Sequence, residues 1–233
     1  MFTLYKKELN YYLHNPIGYI ITILFGVFAN FLFVKDLFVV GSASMRSFFT
    51  IIPWLFIIFI PALSMRAIAE EKRTNTLELL LSLPLSETQI VVSKFLALLT
   101  LVAIGLGLTL GLPVSLSYLV HLYLPEILVG YLGLLFVAFF FISISLYFSS
   151  QTKNQVVAFL FSAVVLFVLI LLSTDFLATI FPKFIQDFLS YFSPLYHLEN
   201  FMKGILDVRS VFYFVSFSLV FLFLTIIDLE KRN

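Results

Sequence analysis

Six long runs of apolar side chains decide what this chain can fold into: Ile17–Val34, Phe48–Ser64, Ile90–Leu112, Ile127–Phe148, Val156–Ser173 and Val211–Ile227. A transmembrane helix needs roughly 20 mainly apolar residues. Inside a bilayer every backbone polar group must be satisfied within the protein, which leaves helices or closed barrels. A barrel would show alternating segments of about ten residues, and these runs are too long and too continuous for that. Pro53 falls inside the second run, where it kinks a membrane helix without forbidding it. Only 12% of the 233 residues are charged, against about 25% in soluble domains. The fold class is therefore all-α integral membrane, one domain over residues 1–233 with six transmembrane helices. The first run is long and lacks a following small-residue cleavage site, so it reads as an uncleaved anchor.

Lysine and arginine set the orientation. Lys6, Lys7, Arg66, Lys72, Arg73, Lys94, Lys153, Lys231 and Arg232 fall on the side of the termini; Lys35, Arg46, Lys183, Lys203 and Arg209 fall on the other. The larger set hugs the span ends, which predicts cytoplasmic termini. A net charge of +1 argues against a nucleic-acid partner, and the absence of cysteine excludes disulfides and thiolate metal sites.

Met1–His14 has the pattern of a helix lying on the membrane surface. Phe2, Tyr5, Leu9, Tyr12 and Leu13 share one face, while Thr3, Lys6, Lys7, Asn10 and His14 share the other. Leu4 and Tyr11 violate it. Asn15-Pro16 breaks the helix before the first span, and the lysines are placed to meet anionic lipid headgroups.

Between spans two and three the chain reads EEKRTNTLELLLSLPLSETQ, Glu70 to Gln89. Four consecutive charges, Glu70, Glu71, Lys72 and Arg73, interrupt an otherwise apolar sequence. Asn75 with Glu78 forms a capping-box-like pair, Thr76–Leu83 follows as about two turns, and Pro84 stops it. Ser86 with Gln89 repeats the capping pattern and launches span three. Leu77, Leu80 and Leu81 lie on one face, widened by Leu79 and Leu83. One reading is a solvated loop whose charges enforce orientation; the other is a docking helix with its own start and stop.

Span three carries Gly105, Gly107 and Gly111, and the Gly107–Gly111 spacing suits close helix approach. The segment between spans five and six predicts two amphipathic helices. Phe181, Phe184, Ile185, Phe188, Leu189 and Phe192 repeat at helical spacing, with Lys183, Gln186, Asp187 and Ser190 opposite. After Ser193-Pro194, Leu198, Phe201, Met202 and Ile205 repeat, with Gly204 near the end. These helices can seal the outer end of the bundle. Alternatively they form an external gate for an amphipathic substrate, with Phe181, Phe184, Phe188, His197, Glu199 and Gly204 as its candidate residues.

Enzymes and ion-coupled carriers place ionisable residues inside their spans. None falls at the predicted mid-depth of a span here; Lys35, Asp36, Arg66, Asp175 and Asp228 lie at span ends. There is no G-x-x-x-x-G-K-[ST]. His14, His121 and His197 lie on different segments and do not make a zinc set. Ser143, Ser145, Ser162, Ser216 and Ser218 read as helix–helix hydrogen bonders. The residues thus predict no catalytic, cofactor-binding or metal site.

Six spans, an interfacial N-terminal helix and AEEKRTNTLELLLSLPLS after span two resemble the permease subunits of ABC-2 type transporters. Thr76, Leu77, Glu78, Leu80, Leu81 and Pro84 match that family's motif; Asn75 stands where glycine is usual, and asparagine tolerates left-handed backbone. SPLYHLENFMKGILDVRSVFYF, with Ser193, Pro194, His197, Gly204, Asp207, Arg209 and Tyr213, is similar to the gliding-motility group. The resemblance implies a type V exporter-like subunit of a bacterial inner membrane, paired with a second copy or a sister permease and with separate ABC ATPase subunits that hold ATP and magnesium. Thr76–Leu83 is then the coupling helix, with Leu77, Leu80 and Leu81 buried on the ATPase and Glu70, Glu71, Lys72, Arg73 and Glu78 at the polar rim. The work done is export or the drive of a machine such as gliding motility. A non-transporting membrane anchor is the alternative.

Overall fold

The computed structural model describes residues 1–40, 44–81, 85–118, 123–173 and 182–231, without the side chains of 40, 79 and 81. His121, Pro84 and Phe181, and the side chains of Leu79 and Leu81, lie outside the described residues. Among the described residues every element is a helix: α1 (Phe2–His14), α2 (Pro16–Val40), α3 (Met45–Ser64), α4 (Ala69–Arg73), α5 (Thr76–Leu81), α6 (Glu87–Gly107), α7 (Gly111–Ser117), α8 (Leu124–Gln151), α9 (Gln155–Leu171), α10 (Lys183–Tyr191), α11 (Pro194–Met202) and α12 (Val208–Glu230).

Five stretches are long and apolar enough to cross a bilayer: Pro16–Val39, Met45–Arg73, Glu87–Ser117, Leu124–Gln151 and Val208–Glu230. The expected fifth span is the shorter helix α9, whose 17 residues rise about 25 Å at 1.5 Å per residue.

Helix α8 is the axis of the bundle, packed by α3, α6, α9, α11 and α12. Leu134, Val137, Phe140, Phe141, Ile144 and Leu146 bury their side chains along it. Lipid tails are as apolar as these residues, so close packing rather than exclusion of water holds the helices together. Gly133 lets α11 approach: a Cβ there would lie 2.6 Å from Phe201 Cβ.

Two spans are interrupted. The second leaves helix after Ser64 and resumes at Ala69. Ser149 of α8 holds the gap: its hydroxyl accepts from the amides of Ile68 and Ala69, at 3.2 and 3.1 Å, and donates to the Met65 carbonyl. The third span, expected to be continuous, turns at Leu108–Leu110 between α6 and α7. Buried Thr109 sits there, its hydroxyl 3.0 Å from the Tyr131 hydroxyl of α8. Gly107 and Gly111 flank this turn and meet nothing within 4 Å, so they do not provide the expected close approach within the chain.

The face of α1 is rotated from the expected one. Leu4, Glu8 and Tyr12 are the buried residues, one turn apart, against α6 and α2. Phe2 and Leu13 are exposed. The expected stripe counted only apolar side chains, and the stripe that is buried has a carboxylate at its centre. The serines also differ from expectation. Ser143, Ser162 and Ser216 donate to carbonyls of their own helices, as a hydroxyl one turn along a helix can. Ser145 and Ser218 are buried without a hydrogen-bond partner among the described residues.

Candidate functional site

The four-charge run forms α4, and a helix advances about 100° per residue. Consecutive side chains therefore point to different neighbours. Glu70 takes Arg73, at 2.8 Å, and the side-chain amide of Gln155 at the start of α9. Glu71 turns toward α6, where its Oε1 lies 2.6 Å from Lys94 Nζ; Lys94 in turn reaches Glu8 of α1 at 3.3 Å. Lys72 turns toward α8 and α12, donating to the Ser150 carbonyl and to Asp228, the latter at 3.0 Å. One five-residue helix is thus tied to α1, α6, α8, α9 and α12.

Both cationic centres are buried, the Lys72 side chain at 1% exposure and Lys94 at 2%. An ammonium out of water is tolerated only when paired and hydrogen-bonded, and each has two oxygen partners here. The expectation that Lys72 stands at a polar rim is therefore corrected: it points into the bundle. Glu71 also faces inward, while Arg73 is exposed.

Asn75 joins α4 to α5 with φ 57°, the one positive φ outside glycine among the described residues. The motif's glycine position is thus a left-handed link, which asparagine tolerates better than most side chains. It is not the extended N-cap expected from its pairing with Glu78. Thr74 supports the link, its hydroxyl 2.9 Å from the Glu70 carbonyl and 2.9 Å from the Thr76 hydroxyl. The second expected cap is present: the Ser86 hydroxyl accepts from the Gln89 amide at 3.3 Å.

Among the described side chains of α5, Leu77 and Leu80 are buried. Leu77 joins the main core, and Leu80 packs with Leu4 and Ile90. Their expected burial on a partner is corrected: Leu77 is buried in the chain's own core, and Leu80 is covered by Leu4 of α1 and Ile90 of α6. Among the described side chains of this segment, Arg73, Thr74, Asn75, Thr76 and Glu78 are exposed and Leu77 and Leu80 are buried.

At the opposite end of the bundle, α10 buries none of its residues and leaves Phe184 and Phe188 exposed. Helix α11 is different: Leu198, Phe201 and Met202 are buried against the bundle. His197 is 2% exposed. Its Nε2 donates to the Tyr191 carbonyl at 2.9 Å, its Nδ1 lies 3.2 Å from the Ser210 hydroxyl, and its ring stacks on Tyr213 with centroids 4.0 Å apart. Burial holds its pKa below the ordinary histidine value. A ring with both nitrogens occupied by the protein is not a substrate contact, so the gate assignment of His197 is corrected to a structural pin. Glu199 is exposed between Arg46, at 3.7 Å, and Lys203, at 2.8 Å. Gly204 follows α11 at φ 75°, and Asp207 caps α12 through the Arg209 amide at 3.0 Å.

Sequence reasoning missed Glu8, Lys94, Ser149, Gln155 and Asp228 as parts of this site. Lys94 carried a signal: it stands one turn inside the predicted start of span three at Ile90, too deep for a free surface lysine. Among the described residues no three metal-ligating side chains converge.

The family described as ABC-2 family transporter protein matches residues 2–229, from the start of α1 into the last turn of α12. That match covers the N-terminal helix, the α4–α5 hub and every long apolar helix, and does not distinguish the gliding-motility group. No curated protein matches the chain. The chain belongs to the ABC-2 transporter family, as a multi-pass membrane permease subunit that associates with an ABC ATPase partner.

Proposed function

We propose that α4 and α5 are the device through which this permease receives work from separate ATPase subunits, and that the two buried ion-pair centres of α4 distribute it. The observation that carries this reading is the division of one short segment. Its exposed side chains among the described residues, Arg73, Thr74, Asn75, Thr76 and Glu78, are all polar. Its inward side is fixed to four helices by Glu70, Glu71 and Lys72, and through Lys94 to a fifth, α1. ATP and magnesium reside on the partner, whose closure pushes the outward surface. Helix α5 is packed against α4, with Leu77 in the core and Leu80 on Leu4 of α1 and Ile90 of α6, so the push reaches α4 without slack. The bundle then shifts between two states biased by nucleotide, as a switch of this kind requires.

In this reading six helices cross the membrane, with α9 as the short fifth, and both termini face the cytoplasm of a bacterial inner membrane. A second permease copy or a sister subunit completes the translocation unit. Helices α10 and α11 close its outer end, with α10 lying among lipid headgroups. The output is export of an amphipathic cargo or the drive of a membrane machine of the gliding-motility type.

Co-purification with the ATPase tests the docking surface. Glu78→Lys is expected to lower recovery of the ATPase while membrane insertion persists, and wild-type recovery contradicts the assignment. Because the chain has no cysteine, single cysteines report sidedness. Thr74→Cys is expected to label from inside and Asp187→Cys from outside; the reverse pattern overturns the topology.

A further inference from the structure

In a continuous helix each amide donates to the carbonyl four residues back. Across the break in the second span, the Ala69 amide would then bond the Met65 carbonyl, and the Ile68 amide that of Ser64. The Ser149 hydroxyl of α8 stands in the way. It accepts from Ala69 at 3.1 Å and from Ile68 at 3.2 Å, and it donates to the Met65 carbonyl at 3.1 Å. One side chain thus takes the place of the helical bond from Ala69 to Met65. Insertion of a side chain into this ladder is a known cause of sharp kinks. Two accepted bonds and one donated bond use the full capacity of a hydroxyl, and Ser149 is completely buried. Helix α4 has no side-chain cap of its own. Its N-cap, Ile68, lies at φ −125° and ψ −38°, far from the helical φ of about −63°.

The inserted arrangement has a hydrogen-bonded alternative. If the Ser149 hydroxyl withdraws, the Ala69 and Ile68 amides reach the Met65 and Ser64 carbonyls directly. The Ala67 amide, now on the Ser64 carbonyl at 3.0 Å, moves to that of Leu63, and α3 and α4 become one helix. The freed hydroxyl turns to a carbonyl of its own helix, as Ser143 and Ser150 of α8 do with Phe140 and Tyr147. The Ile68 and Ala69 amides and the Met65 carbonyl therefore have partners in either state, as buried backbone groups require. The other ties of α4 can follow the change. Lys72 and Glu70 reach Ser150, Asp228 and Gln155 through long flexible side chains. Ser149 carries its hydroxyl on a single carbon and cannot follow.

We propose that Ser149 is a positioning residue for coupling, a latch that holds the second span broken. Its withdrawal joins α3 and α4 into one helix, so that the span and the segment α4–α5 move as a single lever. The broken state is the resting one, and closure of the partner ATPase drives the withdrawal. Only that last step rests on the coupling reading; the two states of the span belong to the chain itself.

The test is the separation of two spin labels, at Thr76→Cys on α5 and at Lys153→Cys just beyond α8, measured by double electron–electron resonance in lipid bilayers. Both positions are exposed, and the chain has no other cysteine. Thr76 lies about 12 Å beyond Ile68 along the helix, so removing a kink of about 20° moves it by about 4 Å. In the full-length chain alone, Ser149→Ala can neither accept nor donate and is expected to shift the separation by that amount. Ser149→Thr keeps the hydroxyl and is expected to hold the parent value. In the transporter assembled with its ATPase, ATP is expected to shift the parent separation in the same direction as Ser149→Ala. An unchanged separation in Ser149→Ala, or equal shifts in the alanine and threonine variants, overturns the latch. An ATP response that is absent or opposite in direction overturns its withdrawal during coupling. If Ser149→Ala does not fold, the ATP response of the parent decides alone. If the ATPase does not co-purify with the parent, the docking reading fails and the comparison in the chain alone decides the latch.

Discussion

Lys94 Nζ lies 2.6 Å from Glu71 Oε1 and 3.3 Å from Glu8 Oε1, so one buried cation joins the charged run of α4 to the N-terminal helix through α6. The Lys72–Asp228 pair at 3.0 Å makes the matching link to α12. Together they turn a surface-looking charge run into an internal joint.

Removing Lys94 leaves two carboxylates beside each other without their cation. Breaking one partner of a buried pair costs about 3–5 kcal/mol. Lys94→Met is therefore expected to lower the unfolding temperature of the purified chain markedly. The triple variant Glu8→Met/Glu71→Met/Lys94→Met is expected to recover most of that loss, because no uncompensated charge remains. Thermal unfolding in one detergent compares them, and equal stability of Lys94→Met and the parent chain contradicts the burial argument.

The outward and inward residues of α5 are expected to behave oppositely. Glu78→Lys changes an exposed side chain and should alter stability by less than about 0.5 kcal/mol while weakening ATPase recovery. Leu80→Asp places a carboxylate against Leu4 and Ile90 and should destabilise the chain itself. Paired melting and co-purification measurements separate the two. Identical profiles for both variants contradict the orientation of α5.

The left-handed link at Asn75 makes a narrower prediction. Asn75→Gly is expected to be neutral, since glycine adopts positive φ readily. Asn75→Val is expected to cost about 1–2 kcal/mol, the left-handed penalty of a side chain at Cβ. Denaturant midpoints of the two variants check the order, and a stable valine variant excludes the geometry.

His197 gives a pH dependence. Its pKa is lowered in the folded state by burial, so the unfolded chain binds the proton more readily. Its stabilising effect is present above the unfolded value near 6.5 and is lost as pH falls through the lower folded value. Melting temperature is expected to fall between neutral pH and about pH 5, and His197→Gln is expected to flatten that slope. An unchanged slope excludes His197 as its source.

The helical membrane fold was legible because apolar run length is set by bilayer thickness, and nothing in the packing can override it. The short helix after span two was legible in outline: Asn75 sits at the glycine position of the motif and has the backbone that glycine would supply. Its orientation was not. Leu77 and Leu80 make an apolar face that fits a partner or the parent chain equally well, and only tertiary packing assigns it. Lys72 and Lys94 were taken as surface charges because pairing with Asp228, Glu8 and Glu71 is long-range. Periodicity hid Glu8 as well, since a carboxylate at the centre of a buried stripe reads as polar until its cation is found. The turn at Thr109 left little trace, because membrane helices contain glycine without breaking there.

The most direct test of the central claim follows two environment-sensitive labels through the ATP cycle of the assembled transporter, one at Thr76→Cys on α5 and one at Asp187→Cys on α10. In the parent chain both are expected to respond to nucleotide. With Lys94→Met the Thr76 label should still respond while the Asp187 label falls silent, because the push arrives but is no longer passed on. An undiminished response at Asp187 in that variant would show that the buried charge joint does not carry the motion.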